Sequence, residues 1–477
     1  MFVRLLQKEF LNYVLDLRFV IVFALCVLLS GASVLMGTRN YARQIKDHSS
    51  VTGANRRALE EVMASGSLNQ FSWVGYRWNR PPAVLSPVVY GLSGKQGQEV
   101  HIQRDVLPEF EASLFATDPS YGFFEVLDFG FIVTVVLSLS VLLFTYDAIC
   151  GEKEEGTLRL VASFSASRSM LAAAKLSGAV LAVLVPLGFC CLIAALVLAT
   201  SPDLDMGAGD WARWTALAGV FALYLMVFAA FGLMVSALTH RRLTAFLCLL
   251  GMWTAWLFVI PNLAVRISRA VAPSTSFNAA ERKAYAARWH GIMGRTDEVA
   301  AYWDRHGIPG FGLRRVLGRT FDAIGHLTPA RQQQLLDGEK TILQRWQARI
   351  HPDLSSILIR RRNEMRRQRR WSAALASLSP MGAVTFLSTD LARTSYVQQE
   401  RVEDVLQAHL ADFAQYALEK QSEEVPNLTD FSPFAYEDRE KLRDCLYRNL
   451  PYILNLSLLV IVGFAGAYVA FIRYDVR

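Results

Sequence analysis

The chain alternates between long apolar runs and long polar stretches, and that alternation predicts its architecture. Residues 1–18 place Phe2, Leu6, Phe10, Tyr13 and Leu17 on one helical face and Arg4, Lys8 and Asn12 on the other, the pattern of a helix lying along a membrane surface. Six apolar runs follow at 19–36, 128–147, 171–200, 214–239, 243–265 and 449–472. Each is long enough to cross the hydrocarbon core as a helix. A cleaved signal peptide is the competing reading of the first run, but Glu9, Asp16 and the long amphipathic lead favour a retained anchor.

Six spans place both termini on one side. Arg4, Lys8, Arg18, Lys153, Arg159, Arg168, Lys175, Arg241, Arg242, Arg473 and Arg477 would all face that side, which the positive-inside rule makes the cytoplasm. The short loop 201–213 on the other side carries Asp203, Asp205 and Asp210. Two inserts, 37–127 and 266–448, then fall outside, and both are long enough to fold as domains. The second reads as largely helical, with a long Gln- and Arg-rich helical stretch from Pro329 to Trp371 and a possible stop at His351–Pro352. The stretch 371–391 is moderately apolar, but its serines, Pro380 and Asp390 suit a helix end and turn packed over the spans better than a seventh span. The expected fold is a mainly α, six-span polytopic membrane protein with two extracytoplasmic inserted domains.

Composition agrees with this reading. Of 477 residues, 53% are hydrophobic and 19% charged, too apolar for an ordinary soluble protein. The net charge of +7 is the sum expected of basic residues at membrane boundaries, so nucleic acid is not an expected partner. The six cysteines and eight histidines show no metal-ligand spacing, and no serine sits in a nucleophile-elbow context. The span cores hold no Asp, Glu, Lys, Arg or His, whereas ion-coupled transporters normally place ionisable groups there. Energy for transport would therefore enter from outside the spans. Pro186 and Pro261 mark either broken helices or packing kinks, and Gly463, Gly466 and Ala470 give the last span a small-residue face.

The short loop 148–170 between the second and third spans is dense in charge. Glu152, Glu154 and Glu155 stand near the start of a short helical element, Gly156 turns it, and Thr157 caps a second one carrying Leu158, Arg159 and Leu160. Arg159 and Arg168 are placed to pair with a partner's carboxylates. The alternative is a solvated hairpin whose charges only enforce topology. A Glu-rich turn, then Gly156-Thr157-Leu158, then Ser167-Arg168 and a lysine, Lys175, entering the next span resembles the ABC-2 family of permeases. The amphipathic start with Lys8, Glu9 and Phe10 resembles that family's surface-lying elbow helix. Leu378-Ser379-Pro380 and the turns within Arg80–Pro87 are similar to the large-insert branch that carries the domain of unknown function DUF3526.

The resemblance implies that the loop is a coupling helix, with Glu152, Glu154, Glu155, Gly156, Thr157, Arg159 and Arg168 docking on a separate ATP-binding subunit. It implies an exporter in the bacterial inner membrane, with a second permease copy or a related permease completing the transporter. ATP and Mg would bind on the partner, because the nearest phosphate-loop lookalike here, Gly91–Gln96, lacks the required spacing. No cofactor is expected on this chain. A membrane-anchored assembly or sensor protein, binding a partner through the outer inserts, is the rival reading; a membrane-embedded enzyme is a second.

Two further patches stand out. Arg360, Arg361, Arg362, Arg366, Arg367, Arg369 and Arg370 form the densest charge cluster, suited to lipid headgroups or an anionic ligand, or else to ion pairs on an exposed helix. Trp371 beside them favours the membrane interface. Phe71, Trp73, Tyr76 and Trp78 suit core or interface packing better than a ligand-facing patch.

Overall fold

The computed structural model describes residues 2–68, 70–95, 97–103, 110–111, 127–157, 168–274, 277–308, 324–420 and 427–473. Helix α1 (Phe2–Val14) is short and amphipathic and packs along α4. Helix α2 (Leu17–Ser65) follows, its first turn capped by Asp16, whose carboxylate accepts from the Arg18 backbone N–H at 2.9 Å. It runs for 49 residues, about 73 Å at 1.5 Å per residue, and so continues far beyond the apolar run that ends at Met36. Residues 37–65 contain no proline and many good helix formers, so nothing in the sequence stops the helix before Gly66, which closes it in the left-handed conformation.

Among the described residues six helices are long and apolar enough to cross a membrane: α2, α3 (Phe129–Glu154), α4 (Arg168–Thr200), α5 (Ala208–Leu238), α6 (Arg242–Val271) and α12 (Leu450–Arg473). The fold is mainly α-helical. Helix α5 is the central one: Leu217, Phe221, Tyr224, Leu225 and Phe228 are fully buried against its neighbours. Pro186 sits inside an unbroken α4, and Pro261 follows a π-helical stretch at Ala255–Val259, which absorbs the missing backbone donor. Neither proline breaks its helix.

The small-residue face of α12 is used within the chain. A Cβ on Gly463 would stand 2.7 Å from the Ala230 Cβ of α5, and one on Gly466 would meet the Met234 sulfur at 2.6 Å. The two backbones therefore approach as closely as glycine permits. Gly463→Val is expected to force α12 off α5 and lower the melting temperature of the detergent-solubilised protein, at about 1–3 kcal/mol of overpacking; an unchanged melting curve would contradict this packing.

Beyond the bundle, the inserts are joined. The end of α2, an antiparallel sheet of β1 (Tyr76–Asn79), β2 (Glu99–Ile102) and β3 (Phe110–Glu111), helix α10 (Tyr396–Glu419) and the segment 428–436 share one core. Phe71, Tyr76, Val100 and Ile102 from the first insert pack on Leu406, Phe413, Leu428 and Phe434 from the second. Tyr76 bonds His409 at 2.6 Å and accepts from the Phe434 backbone N–H at 3.0 Å. The two inserts, read from the sequence as two domains, thus contribute to one shared core, since three short strands cannot close a core alone. Phe71 and Tyr76 are core residues, as expected of that aromatic group, and Trp78 packs partly buried beside them.

Helices α7 (Phe277–Arg305) and α8 (Pro329–Ala376) form a second unit around the fully buried Trp303. Helix α8 runs through Pro352, contrary to the expected stop at His351–Pro352. Packing against α7 on one half and α6 on the other holds it across a residue that ordinarily breaks helices. Residues 371–391 do not form one helix. The α8 helix ends at Ala376, and Ser379 caps α9 (Pro380–Leu391), its hydroxyl accepting from the Gly382 N–H at 3.0 Å. Val384, Leu387 and Leu391 then pack into the main core of the bundle.

Candidate functional site

At one end of the bundle, the charged loop is fastened to its surroundings on every side. The loop begins where α3 turns at 146–149 and re-forms a single short helix, Cys150–Glu154. Both Ile149 and Cys150 donate their backbone N–H to the Ser236 hydroxyl of α5, at 3.0 Å each. Lys153 donates to the carbonyls of Ala237 and Thr239 at the C-terminus of α5, where a cation meets the negative end of the helix.

Lys175, near the start of α4, is the hub. Its side chain is only 4% exposed, and its ammonium reaches Glu152 at 2.7 Å, Glu9 of α1 at 3.3 Å and the Ala148 carbonyl at 3.3 Å. Three elements therefore meet on one buried cation. Gly178, almost one turn on, lets Glu9 approach: a Cβ there would lie 3.0 Å from the Glu9 Cβ. Glu154 accepts from the Arg242 backbone N–H at 2.9 Å, and Glu155 pairs with the Arg242 guanidinium. The Arg242 guanidinium packs against Gly151, where a Cβ would lie 3.0 Å from its Nε and crowd it. Arg18, opening α2, pairs with Asp147 at 3.6 Å and donates to the Tyr146 hydroxyl at 2.8 Å.

Glu152, Glu154, Glu155 and Gly156 are thus brought together, but each carboxylate is engaged within the chain. Gly156 adopts φ +74 with open space around it, and the Thr157 hydroxyl donates to the Glu152 carbonyl at 3.4 Å. The second short helix with Arg159 lies outside the described residues. Arg168 is the first residue of α4. Sequence reasoning missed the roles of Glu9, Ser236 and Arg242 as partners. The available signal was Lys175, an isolated cation at the edge of an apolar run, which requires acids from elsewhere.

The energetics differ around this collar. The Glu155–Arg242 pair is exposed at 55% and 42%, a class of contact worth about 0–1 kcal/mol. The Lys175 centre is buried, where removing one member of an ion pair costs about 3–5 kcal/mol.

A second ionic cluster closes the opposite end of the bundle. Arg448, the last residue of helix α11 (Leu442–Arg448) just before α12, bonds Asp390 of α9 at 2.6 Å and also pairs with Glu440. Glu440 is held as well by Arg401 of α10, and its backbone carbonyl accepts from Arg213 of α5 at 2.8 Å. Arg393 links Asp438 at 2.9 Å to Asp210 at 3.8 Å. Burial raises the Glu440 carboxyl, but the hydrogen bonds from Arg401 and Arg448 outweigh it and hold the group at about 2.

The arginine cluster on α8 divides. Arg362 and Arg366 pair with Asp404 of α10 at 2.9 and 2.8 Å, and Arg369 pairs with Glu400 at 2.8 Å. Arg360 pairs with Glu364 one turn on at 3.3 Å, and Arg361 is half-buried. Arg367, Arg370 and Trp371 are exposed. Three of these seven arginines therefore bind α10, because α8 and α10 run side by side with acids at matching helical spacing. Among the described residues no group of three or more His, Cys, Asp or Glu is arranged to hold a metal.

A curated relative from Stutzerimonas stutzeri, the probable ABC transporter permease protein NosY, is 31% identical over 149 residues. That alignment covers 31% of this chain and 52% of the relative, so the chain matches about half the relative's length. The model of the family described as ABC-2 family transporter protein matches residues 3–476, nearly the whole chain, and the chain belongs to that family.

Proposed function

We propose that the chain is the membrane-spanning permease subunit of an ATP-driven exporter, and that the collar is where a separate ATP-binding subunit acts on it. The observation that carries this is the bridge from Glu9 through Lys175 to Glu152. A push on either α1 or the short helix Cys150–Glu154 is transmitted through one buried ammonium to α4. The Ser236 and Arg242 contacts pass the same displacement to α5 and α6. Side chains exchange no chemistry in this step; they convert docking force into helix movement.

Basic residues gather at this end of the bundle, which supports reading it as the cytoplasmic side of a bacterial inner membrane. Both termini then lie in the cytoplasm and the joined inserts outside. ATP and Mg belong to the partner subunit, and a second copy of this chain or a related permease supplies the other half of the pathway. The exposed faces of Glu155 and Thr157 are the surface offered to the ATPase.

The joint variant Glu154→Ala/Glu155→Ala tests the docking face. It releases Arg242 while leaving the buried Lys175 centre intact, so normal membrane insertion is expected, with ATPase association weakened by roughly tenfold, the scale of one lost charged contact. Unchanged association together with unchanged hydrolysis would leave the loop as a topological marker and favour the assembly or sensor reading.

A further inference from the structure

A groove of about 400 Å³ opens between α5 and α12 at the collar end of the bundle. Its floor is apolar, made by Met234, Gly466 and Ala470, and Lys153, His240 and Arg473 surround it. Leu238 and Val469 beside it are 61% and 44% exposed, so the groove faces outward, toward the place where lipid chains lie. No carboxylate among the described residues lines it. The reason is local: Glu152 of the same short helix turns to Lys175, while Glu154 and Glu155 turn to Arg242. The carboxylates of that helix are drawn away, and its lysine is left facing the groove.

We propose that this groove holds one anionic diacyl phospholipid. Its phosphate would sit among Lys153, His240 and Arg473, and an acyl chain would lie over Gly466 between α5 and α12. The chemistry is that of a basic pocket between transmembrane helices at headgroup depth. The exposed side chains of Leu238 and Val469 offer the chain an apolar surface, and the cations give preference for a negative headgroup over a zwitterionic one. Lys153 also holds the C-terminus of α5 through the Ala237 and Thr239 carbonyls. The bound phosphate therefore touches the same short helix that reaches Lys175, which makes membrane composition an input to the collar.

The proposal rests on the membrane orientation given above, not on the partner ATPase. The test uses the isolated full chain in mild detergent, so loss of ATPase association would be scored separately. Delipidated protein is incubated with dioleoylphosphatidylglycerol or dioleoylphosphatidylcholine, and retained lipid is counted by native mass spectrometry. The wild type is expected to keep one phosphatidylglycerol in preference to phosphatidylcholine. His240→Gln/Arg473→Gln is expected to lose roughly tenfold in retention, while Arg473→Lys keeps most of it and Arg439→Gln, an exposed arginine outside both basic patches, changes nothing. Equal retention of both lipids, or full retention by the double variant, would overturn the proposal. So would efficient disulfide formation between copies of Val469→Cys, which would make the groove an interface between chains.

Discussion

Lys175→Met is expected to separate the permease from its energy source while leaving the six spans inserted. The side chain is 4% exposed and neutralises Glu9 and Glu152, whose side chains are 12% and 24% exposed. Methionine matches the volume but leaves two carboxylates facing each other without a cation. The cost is that of an orphaned buried charge, about 3–5 kcal/mol, a large share of the stability of any domain. A lower melting temperature of the purified subunit is the first readout. The second readout separates stability from coupling. In Glu9→Gln/Lys175→Met the repulsion between Glu9 and Glu152 is relieved, so much of the lost stability returns, and the two substitutions are strongly non-additive. ATPase stimulation by the permease does not return, because α1 and α4 are no longer held through a charge that the loop shares. Recovery of both stability and stimulation in the double variant would show that the bridge is structural only.

Arg448→Met is expected to be the most damaging change at the other end. It leaves Asp390, 6% exposed, and Glu440, 8% exposed, beside each other with Arg401 as the main remaining cation. A loss of about 3–5 kcal/mol is expected on the same grounds. The pH dependence follows from Glu440. Its carboxyl is held at about 2 in the fold, below its ordinary 4.5, so its contribution is fully present above 4.5 and is lost as pH falls from there toward 2. Without the Arg448 hydrogen bond the folded value rises toward the ordinary one, and the contribution shrinks at every pH above it. Thermal unfolding of wild type and variant is therefore expected to differ most near neutral pH and to converge as pH falls toward 2. Curves separated by a constant amount across that range would contradict the assigned role.

Much of the architecture was legible because a bilayer imposes a length on apolar runs, and the six runs read from the sequence overlap the six long apolar helices found among the described residues. What the runs could not show is where polar helices stop. Residues 37–65 lack proline, so α2 continues past its apolar run to Ser65, and Pro352 fails to interrupt α8 because its neighbours hold both halves. The shared core of the inserts was hidden for a different reason. Tyr76 and His409 are separated by more than three hundred residues, and no periodicity reports a contact of that range.

The loop shows the same division. Its charge density and its short helix were visible from residue types alone, but the direction of each carboxylate was not. Glu152 points inward to Lys175 of α4, and Glu154 and Glu155 point to Arg242 at the start of α6. The arginines of α8 were legible as a cluster, yet their division between α10 and the exposed surface depends on Glu400 and Asp404, which only the fold brings alongside.

The central claim is that an ATP-binding subunit presses on the collar. The most direct measurement places a photoreactive phenylalanine at position 157, exposed and next to Gly156, in the chain expressed in its native membranes. Illumination followed by mass spectrometry identifies what touches the loop. The account predicts one dominant cross-link, to a protein carrying a nucleotide-binding phosphate loop, whose yield changes when ATP is bound. Cross-links to lipid alone, or to proteins without a nucleotide site, would contradict it.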